Sequence, residues 1–567
     1  MMRWGPRLLP GGGAKFTLWA PSVQGVTLVL GDGEEVSMEA GADGWFTAEA
    51  SAEPRTRYRF RLPGGLAVPD PASRRQDGGV HGWSVVCDPE DHAWHKTDWQ
   101  GRPWEEMVIW ECHAGILGGF SGVAARLPEL AAMGITAIEL MPVAAFSGSR
   151  NWGYDGVLPY APAEAYGSPA DLKALVDRAH ELGLAVLLDV VYNHFGPDGN
   201  YLGAYAADFF HDAHTPWGQA VSVNREPVAR FFIDNALMWL EEYRIDGLRF
   251  DAVHAIGDTA FLDRMGRELR AACAERHTHL VLENEANDPA RLEGPFDAQW
   301  NDDFHNAAHV LLTGETASYY AAFAERPAQH LARCLSEGFA YQGEAIEPGR
   351  IRGAPSGHLP PAAFVNFLQN HDQIGNRAMG ERLMMLAGEA ATRATSALLL
   401  LTPGIPLLFM GEECGSRAPF LFFTDFDNEL ADAVREGRRR EFAGFPAFTD
   451  PAARAAIPDP NAPATFAASL PEPGPDAEEW RAFYSGLLAI RAQRLVPHLR
   501  GCRSLGAEAI DEQTVCAAWR LGDGTVWRIC AGFAATGFAG ELPPGEVVCA
   551  VGNPAAGPFC RATCEAV

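Results

Sequence analysis

The sequence predicts an α/β protein built on a closed (β/α)8 TIM barrel. An Ig-like β-sandwich precedes the barrel, a helical insertion interrupts it, and a second small β-domain follows it. Three observations carry this reading. From about residue 106 to residue 410, short apolar runs alternate with amphipathic segments of helix length, as βαβ units of a parallel sheet require. Eight such units fit between these limits, the number that closes a barrel. The first hundred residues and those after Gly501 instead show short strands between turns.

Residues 1–100 form the expected sandwich. Lys15-Phe-Thr-Leu-Trp19 and Val26-Thr-Leu-Val-Leu30 are β-rich, and Tyr58-Arg-Phe-Arg-Leu62 alternates as a half-buried strand does. Turns at Gly31-Asp-Gly33, Asp43-Gly44 and Pro63-Gly-Gly65 separate them. The barrel region spans 101–495. Its strands are expected in Met107–Gly115, Gly134–Pro142, the run ending at Asp189, the stretch Gly247–Ile256, Leu280–Glu283, Asp297–Trp300, Phe364–Leu368 and Ile405–Met410. Helices are expected over Val123–Met133, Leu172–Leu182, Ile233–Tyr243 and Glu478–Arg494. The interval between the sixth and seventh strands exceeds one unit, so 313–345 is read as a polar helical insertion. An extension rich in Pro, Asp and Arg occupies about 412–480, and its run Arg435-Glu-Gly-Arg-Arg-Arg-Glu441 is expected to be a solvated face. The C-terminal β-domain is 496–567, with strands around Val515–Trp519, Val526–Cys530 and Val547–Val551.

Composition limits the function. The 567 residues are 47% hydrophobic and 21% charged, as in ordinary globular proteins, with a net charge of −28. That charge argues against a phosphate-backbone partner, because nucleic-acid binders show basic patches. The start, Met-Met-Arg-Trp-Gly-Pro, lacks the apolar run of a secretory leader, and no run reaches the roughly 18 apolar residues of a membrane span. A cytoplasmic protein is therefore expected. The eleven cysteines are odd in number, so free and mostly buried thiols are expected. Neither a metal site nor a cofactor is expected; Cys560 and Cys564 lack the partners that zinc spacing demands.

The chemistry begins with Gly247-Leu-Arg-Phe-Asp-Ala-Val-His-Ala-Ile256. Arg249 and Asp251 are two apart on a strand and share a face. A cation so placed holds the carboxylate ionised and in one rotamer, as a nucleophile at a sugar carbon must be. A plain strand-to-loop staple is the alternative. Three further apolar runs end in polar groups: Leu184-Ala-Val-Leu-Leu-Asp-Val-Val-Tyr-Asn-His194, Leu280-Val-Leu-Glu-Asn-Glu-Ala-Asn-Asp288 and Phe364-Val-Asn-Phe-Leu-Gln-Asn-His-Asp-Gln373. In a parallel barrel, catalytic groups come from the carboxyl ends of several strands. Glu283 and Glu285 both stand where a general acid with a raised pKa is required, and both remain candidates on spacing alone.

These four segments resemble, in order, the signature regions of the α-amylase superfamily of glycoside hydrolases. The resemblance implies Asp251 as nucleophile, Glu283 as acid/base and Asp372 as a transition-state stabiliser that grips sugar hydroxyls. It also implies sugar contacts from His194, His371 and Trp152, a stacking Tyr154 within Trp152-Gly-Tyr-Asp155, Asp189 beside Arg249 in the substrate site, and His254 toward the leaving-side sugars. Asn193 matches a position that ligates calcium in many amylases, but a carboxylate-rich calcium loop is not evident.

More specific stretches narrow the likeness. Phe296-Asp-Ala-Gln-Trp-Asn-Asp-Asp-Phe-His305, Leu368-Gln-Asn-His-Asp-Gln-Ile-Gly-Asn-Arg377, Met410-Gly-Glu-Glu413, Pro419-Phe-Leu-Phe-Phe-Thr-Asp425 and Val434-Arg-Glu-Gly-Arg-Arg-Arg-Glu-Phe442 look like the malto-oligosyltrehalose trehalohydrolases, over nearly the whole chain. The implied reaction cleaves the α-1,4 bond beside a terminal trehalose of malto-oligosyltrehalose, releasing trehalose and a malto-oligosaccharide. The implied pathway partner is malto-oligosyltrehalose synthase. The loop His113-Ala-Gly-Ile-Leu-Gly-Gly-Phe120 is shorter than the family's. A glycogen branching enzyme, with the same carboxylates but a sugar hydroxyl as acceptor, is the nearest alternative. An inactive glucan-binding protein is a second.

Overall fold

A computed structural model describes residues 4–215, 218–347 and 349–566. Residues 1–3, where the search for a leader began, lie outside them.

The N-terminal part is two antiparallel sheets face to face. One is four-stranded, in the order Arg7–Leu8, Ala14–Trp19, Trp45–Ala50 and Glu39–Ala40. The other is six-stranded around Thr27–Leu30 and Arg57–Arg61. The period-two pattern explains the core. In Arg57–Arg61, Tyr58 and Phe60 are buried against Phe16, Leu18 and Leu28, while the arginines face out. Each such ring or aliphatic chain contributes roughly 1.5–3 kcal/mol on burial. Trp4 packs edge-on against both Trp45 and Phe231, with ring centroids 4.9 Å apart in each case. Arg74 pairs with Glu242 at 2.9 Å. Phe231 and Glu242 belong to a barrel helix and its end, so these contacts seat the sandwich on the barrel.

Eight parallel strands close into the barrel: Ile109–Cys112, Ala137–Leu140, Ala185–Val190, Gly247–Phe250, His279–Leu282, Ala298–Trp300, Phe364–Phe367 and Ile405–Phe409. Closure is made by Ile109 opposite Leu407. The barrel is filled, not hollow: Met107, Ile109, Ala137, Leu187, Val281, Trp300, Phe367 and Leu407 form one apolar plug below the mouth. Gly247 is required where it stands. A Cβ there would sit 2.8 Å from the His279 carbonyl oxygen and 3.1 Å from Leu187 Cγ. The helices start on local signals. Pro169–Glu181 opens with a reciprocal capping box between Ser168 and Asp171, and proline fills its first turn.

Several expectations are corrected. The insertion is neither wholly helical nor polar. It holds a 3₁₀ turn (Ser318–Phe323), a helix (Pro327–Glu337) that buries Leu331, Cys334 and Leu335, and the start of a hairpin, Glu344–Glu347 with Arg350–Arg352. The arginine run lies on the helix Asn428–Glu441, but Arg438 is buried there. Its guanidinium donates to the carbonyls of Gly375 and Arg377, and phenylalanine rings cover its charge more cheaply than they would a lysine's. Nine cysteines are free, but Cys516 and Cys530 are joined by a disulfide. They are directly opposed on neighbouring antiparallel strands, a pairing that linear spacing does not reveal.

The C-terminal part is a five-stranded antiparallel sheet, Arg503–Ala509, Thr514–Arg520, Val526–Gly532, Phe559–Glu565 and Glu546–Gly552 in spatial order. The long helix Ala477–Ile490 leads to it and docks it. Past its end, the fully buried Arg491 donates to the carbonyls of Leu400, Thr402 and Gly404, while Trp527 donates to that of Leu401. These acceptors end the helix Glu389–Leu401 and lead into the eighth barrel strand. Arg491→Met keeps the bulk and removes the donors. It should lower unfolding free energy by about 3 kcal/mol, since buried carbonyls are left unpaired. A denaturant midpoint equal to wild type would show that the arginine is not what joins the two parts.

Candidate active site

The strand ends bring their polar groups together at the mouth of the barrel. Arg249, fully buried on the fourth strand, is the centre. Its Nη1 lies 2.5 Å from Asp189 Oδ2 and 2.9 Å from Asp251 Oδ1, and its Nη2 lies 2.8 Å from Glu283 Oε2. The guanidinium carbon rests 4.1 Å above the Trp300 ring, so the cation is covered from below by a π face. One cation therefore grips carboxylates from the third, fourth and fifth strands. The chain turns sharply after Asp251: Ala252 has φ of 39°, a left-handed conformation costly for a residue with a Cβ. That turn aims the Ala252 N–H at Glu283 Oε2, 2.8 Å away.

Asp372 arrives from the seventh strand through the short helix His371–Gly375, which Asn370 caps. His371 Nε2 is 3.3 Å from Asp372 Oδ2, and Asn376 donates to Asp372 Oδ1 at 3.2 Å. Tyr154 donates its hydroxyl to Asp189 Oδ2 at 2.5 Å and stacks its ring on His371 at 5.0 Å. Asp189, Arg249, Asp251, Glu283, Asp372, His371 and Tyr154 thus form one connected group.

The electrostatics correct one expectation. Burial raises the Asp251 carboxyl well above its usual range, the Glu283 charge adds to this, and Arg249 opposes it without prevailing. Asp189 is also raised by burial, against Arg249. Three carboxylates around one guanidinium would leave two excess negative charges in a poorly solvated cleft. Each charge therefore raises the proton affinity of its neighbours, and the groups titrate as a set. At Asp372 the balance is opposite: burial pushes upward, but the adjacent His371 charge holds the carboxyl below its usual range.

Other expected residues take different places. Glu285 stands outside the cluster, its side chain 49% exposed and paired with Arg350 of the added hairpin, whereas Glu283 is 20% exposed and bound to Arg249. His254 is at the same rim, accepting the Glu285 backbone N–H at Nδ1. Trp152 is buried: its indole N–H donates to the Leu421 carbonyl, its ring stacks on Phe420, and its edge meets His371. It braces the histidine and does not offer an open platform to a sugar. His194 Nε2 lies 3.0 Å from the Tyr154 carbonyl, and burial lowers its pKa to about 4, so the ring is neutral.

Sequence reasoning passed over Glu111, Glu139 and Asp302. Glu111 and Glu139 are adjacent across the first two strands and fully buried, and Glu111 binds His371. Burial lifts the Asp302 carboxyl to about 8, helped by the Glu283 charge. The signal existed for the first two. A glutamate in the middle of Ile-Trp-Glu-Cys or Ala-Ile-Glu-Leu has no place in an apolar strand unless it faces an interior that uses it.

The alpha amylase catalytic-domain family model matches residues 89–208. The chain is 40% identical over 551 residues to the malto-oligosyltrehalose trehalohydrolase of Deinococcus radiodurans, covering 92% of this chain and 90% of that one. It is 42% identical over 488 residues to the enzyme of the same name from Rhizobium sp. (strain M-11), covering 81% and 80%. The crystal structure of a Salmonella typhimurium protein described as an alpha amylase superposes with a TM-score of 0.94 at 44% identity, over all of both chains.

The raised proton affinity of Asp251 has a thermodynamic consequence. The native carboxyl binds its proton more tightly than the unfolded one. Stability from this group is therefore greatest at low pH and falls as pH rises from the unfolded carboxyl range toward the native value. Asp251→Asn removes that loss. It should lower turnover by at least about 10³-fold, yet raise the melting temperature relative to wild type, more at pH 8 than at pH 5. A melting difference independent of pH would overturn the burial account.

Proposed function

Because the chain belongs to the malto-oligosyltrehalose trehalohydrolase family of the α-amylase superfamily, we propose that it hydrolyses the α-1,4 bond beside the terminal trehalose of a malto-oligosyltrehalose by a retaining mechanism. The observation that carries the mechanism is the fork of Arg249, which holds Asp251 and Glu283 on its two prongs. A shared guanidinium keeps the two carboxyls near one another, as a nucleophile and an acid/base on one glycosidic bond must be.

In this reading Asp251, as the carboxylate, attacks the anomeric carbon while Glu283, as the acid, delivers a proton to the glycosidic oxygen. The trehalose-bearing fragment leaves and a glycosyl ester forms on Asp251. Water, deprotonated by Glu283, then releases the sugar. Arg249 stabilises Asp251 as it regains its charge. Asp372, held ionised beside His371, grips hydroxyls and favours the oxocarbenium-like ring. Tyr154 lies under the same sugar, its ring fixed by His371 and its hydroxyl by Asp189. His254 and Glu285 line the leaving side.

Among the described residues no helix is long and apolar enough to cross a membrane. We place the protein in the cytoplasm, supplied by a synthase that installs the α,α-1,1 linkage at the end of a maltodextrin.

Maltotriosyltrehalose and maltopentaose distinguish the readings. Rapid release of free trehalose from the first, with little cutting of the second, is expected. Equal cutting of both would make the protein a general amylase, and new α-1,6 branches on amylose would make it a branching enzyme. Glu283→Ala should lower kcat on maltotriosyltrehalose by about 10²–10⁴-fold but spare an α-maltosyl fluoride, whose leaving group needs no proton. Glu285→Ala should show no such split; if it does, the acid has been misassigned.

A further inference from the structure

Glu111 is a carboxylate that the mechanism above leaves without a role. It lies within the first barrel strand, 1% exposed. Both oxygens are committed to one residue: Oε2 accepts the His371 backbone N–H at 3.1 Å, and Oε1 binds the ring at Nδ1. Nδ1 therefore carries a proton. At the other end of the ring, Nε2 is buried, 3.3 Å from Asp372 Oδ2, with no well-aligned hydrogen bond among the described residues. The imidazole thus stands between two carboxylates, bound firmly to one and loosely to the other. Tyr154 stacks on it and Trp152 meets it edge-on, so packing already fixes its orientation. What Glu111 adds is charge.

We propose that Glu111 is a positioning residue for the glycosidic reaction, binding Nδ1 of His371 so that the ring carries both protons and presents Nε2–H to Asp372 and to the hydroxyls of the sugar held there. The inference rests on the hydrolytic reading above. A cation beside an oxocarbenium-like ring would be costly alone, but two carboxylates for one imidazolium leave the unit with a net negative charge. Burial works against the His371 charge, and Asp372 and Glu111 together overcome it. The other charged groups around the ring do not compete. Glu139, on the neighbouring strand, has no hydrogen-bond partner for either oxygen among the described residues, and burial, with Glu111 and Asp189, keeps it protonated. Asp189 is engaged by Arg249 and Tyr154. His113 is neutral, because burial lowers its pKa to about 4.

The ring's charge can be read directly. In protein labelled with 15N-histidine, with His371 assigned by its loss in His371→Asn, the wild-type ring should remain doubly protonated through pH 8. In Glu111→Gln, which keeps the shape and loses the charge, it should titrate near the ordinary histidine value of about 6.5. On maltotriosyltrehalose, kcat of Glu111→Gln should fall about tenfold at pH 6 and about 100-fold at pH 8, with KM nearly constant. Glu111→Asp should restore a flat profile. A neutral His371 in wild type at pH 7 would overturn the proposal without any variant. So would a Glu111→Gln deficit of equal size at every pH, which is what a merely structural role predicts. Failure of the wild type to cut the substrate would sink the hydrolytic reading alone, and the ring titration would still decide its charge.

Discussion

The site depends on the burial of one guanidinium. Arg249 sits at the mouth of the barrel with no solvent of its own, and everything around it is arranged to make that position tenable. Trp300 covers one face, and Asp189, Asp251 and Glu283 pair with the two terminal nitrogens of the guanidinium. An unpaired buried charge is prohibitively costly, so the arginine demands carboxylates. Three carboxylates around one cation, in turn, raise the proton affinity of Asp251 and Asp189. A glycosidase requires that same composition, one carboxylate to attack and one acid to donate. The chemistry follows from how the charges make their burial mutually tolerable.

The same constraint explains why the site is strained and polar while the layer beneath it is not. The apolar plug from Met107 to Leu407 supplies rigidity below. Above it, Ala252 adopts a left-handed conformation to bring a backbone N–H onto Glu283, and Glu139 is buried without a partner among the described residues. Such costs persist only where the surroundings over-determine the geometry. Here the closed barrel does so, since each strand end is pinned by two neighbours.

Much of this was legible in the sequence because the relevant spacing is short. Residues two apart on a strand share a face, so Arg249 and Asp251 could be paired by inspection. The apolar runs before Asp189, Glu283 and Asp372 placed those groups at strand ends; six of the eight strands fall within the expected segments, and the third and fifth overrun theirs by one residue. What was not legible depends on distances in space. The proton affinity of Asp251 reflects burial and Glu283, neither of which a local pattern contains. Glu111 and His371 are 260 positions apart. Trp152 was expected among the sugar contacts through the resemblance of Trp152-Gly-Tyr-Asp155, but its partners Leu421 and Phe420 come from a segment joined to it only by folding. Arg438 and the Cys516–Cys530 pair were missed for the same reason.

Those long-range contacts show how the additions to the barrel serve the site. The segment after the eighth strand returns to the wall that carries Asp372. Arg438 binds the carbonyls of Gly375 and Arg377 on either side of that helix's end, and Leu421 holds Trp152 against His371. Arg150, just before Trp152, pairs with Asp425. The helix His371–Gly375 is a single turn and could not hold a charged residue in place unaided. On the opposite rim, Arg350 of the inserted hairpin does the corresponding work by pairing with Glu285 beside His254. The barrel supplies the reactive carboxylates, and the added segments fix the walls between which a sugar must fit. Two proteins with the same strand ends can therefore differ in substrate through those walls.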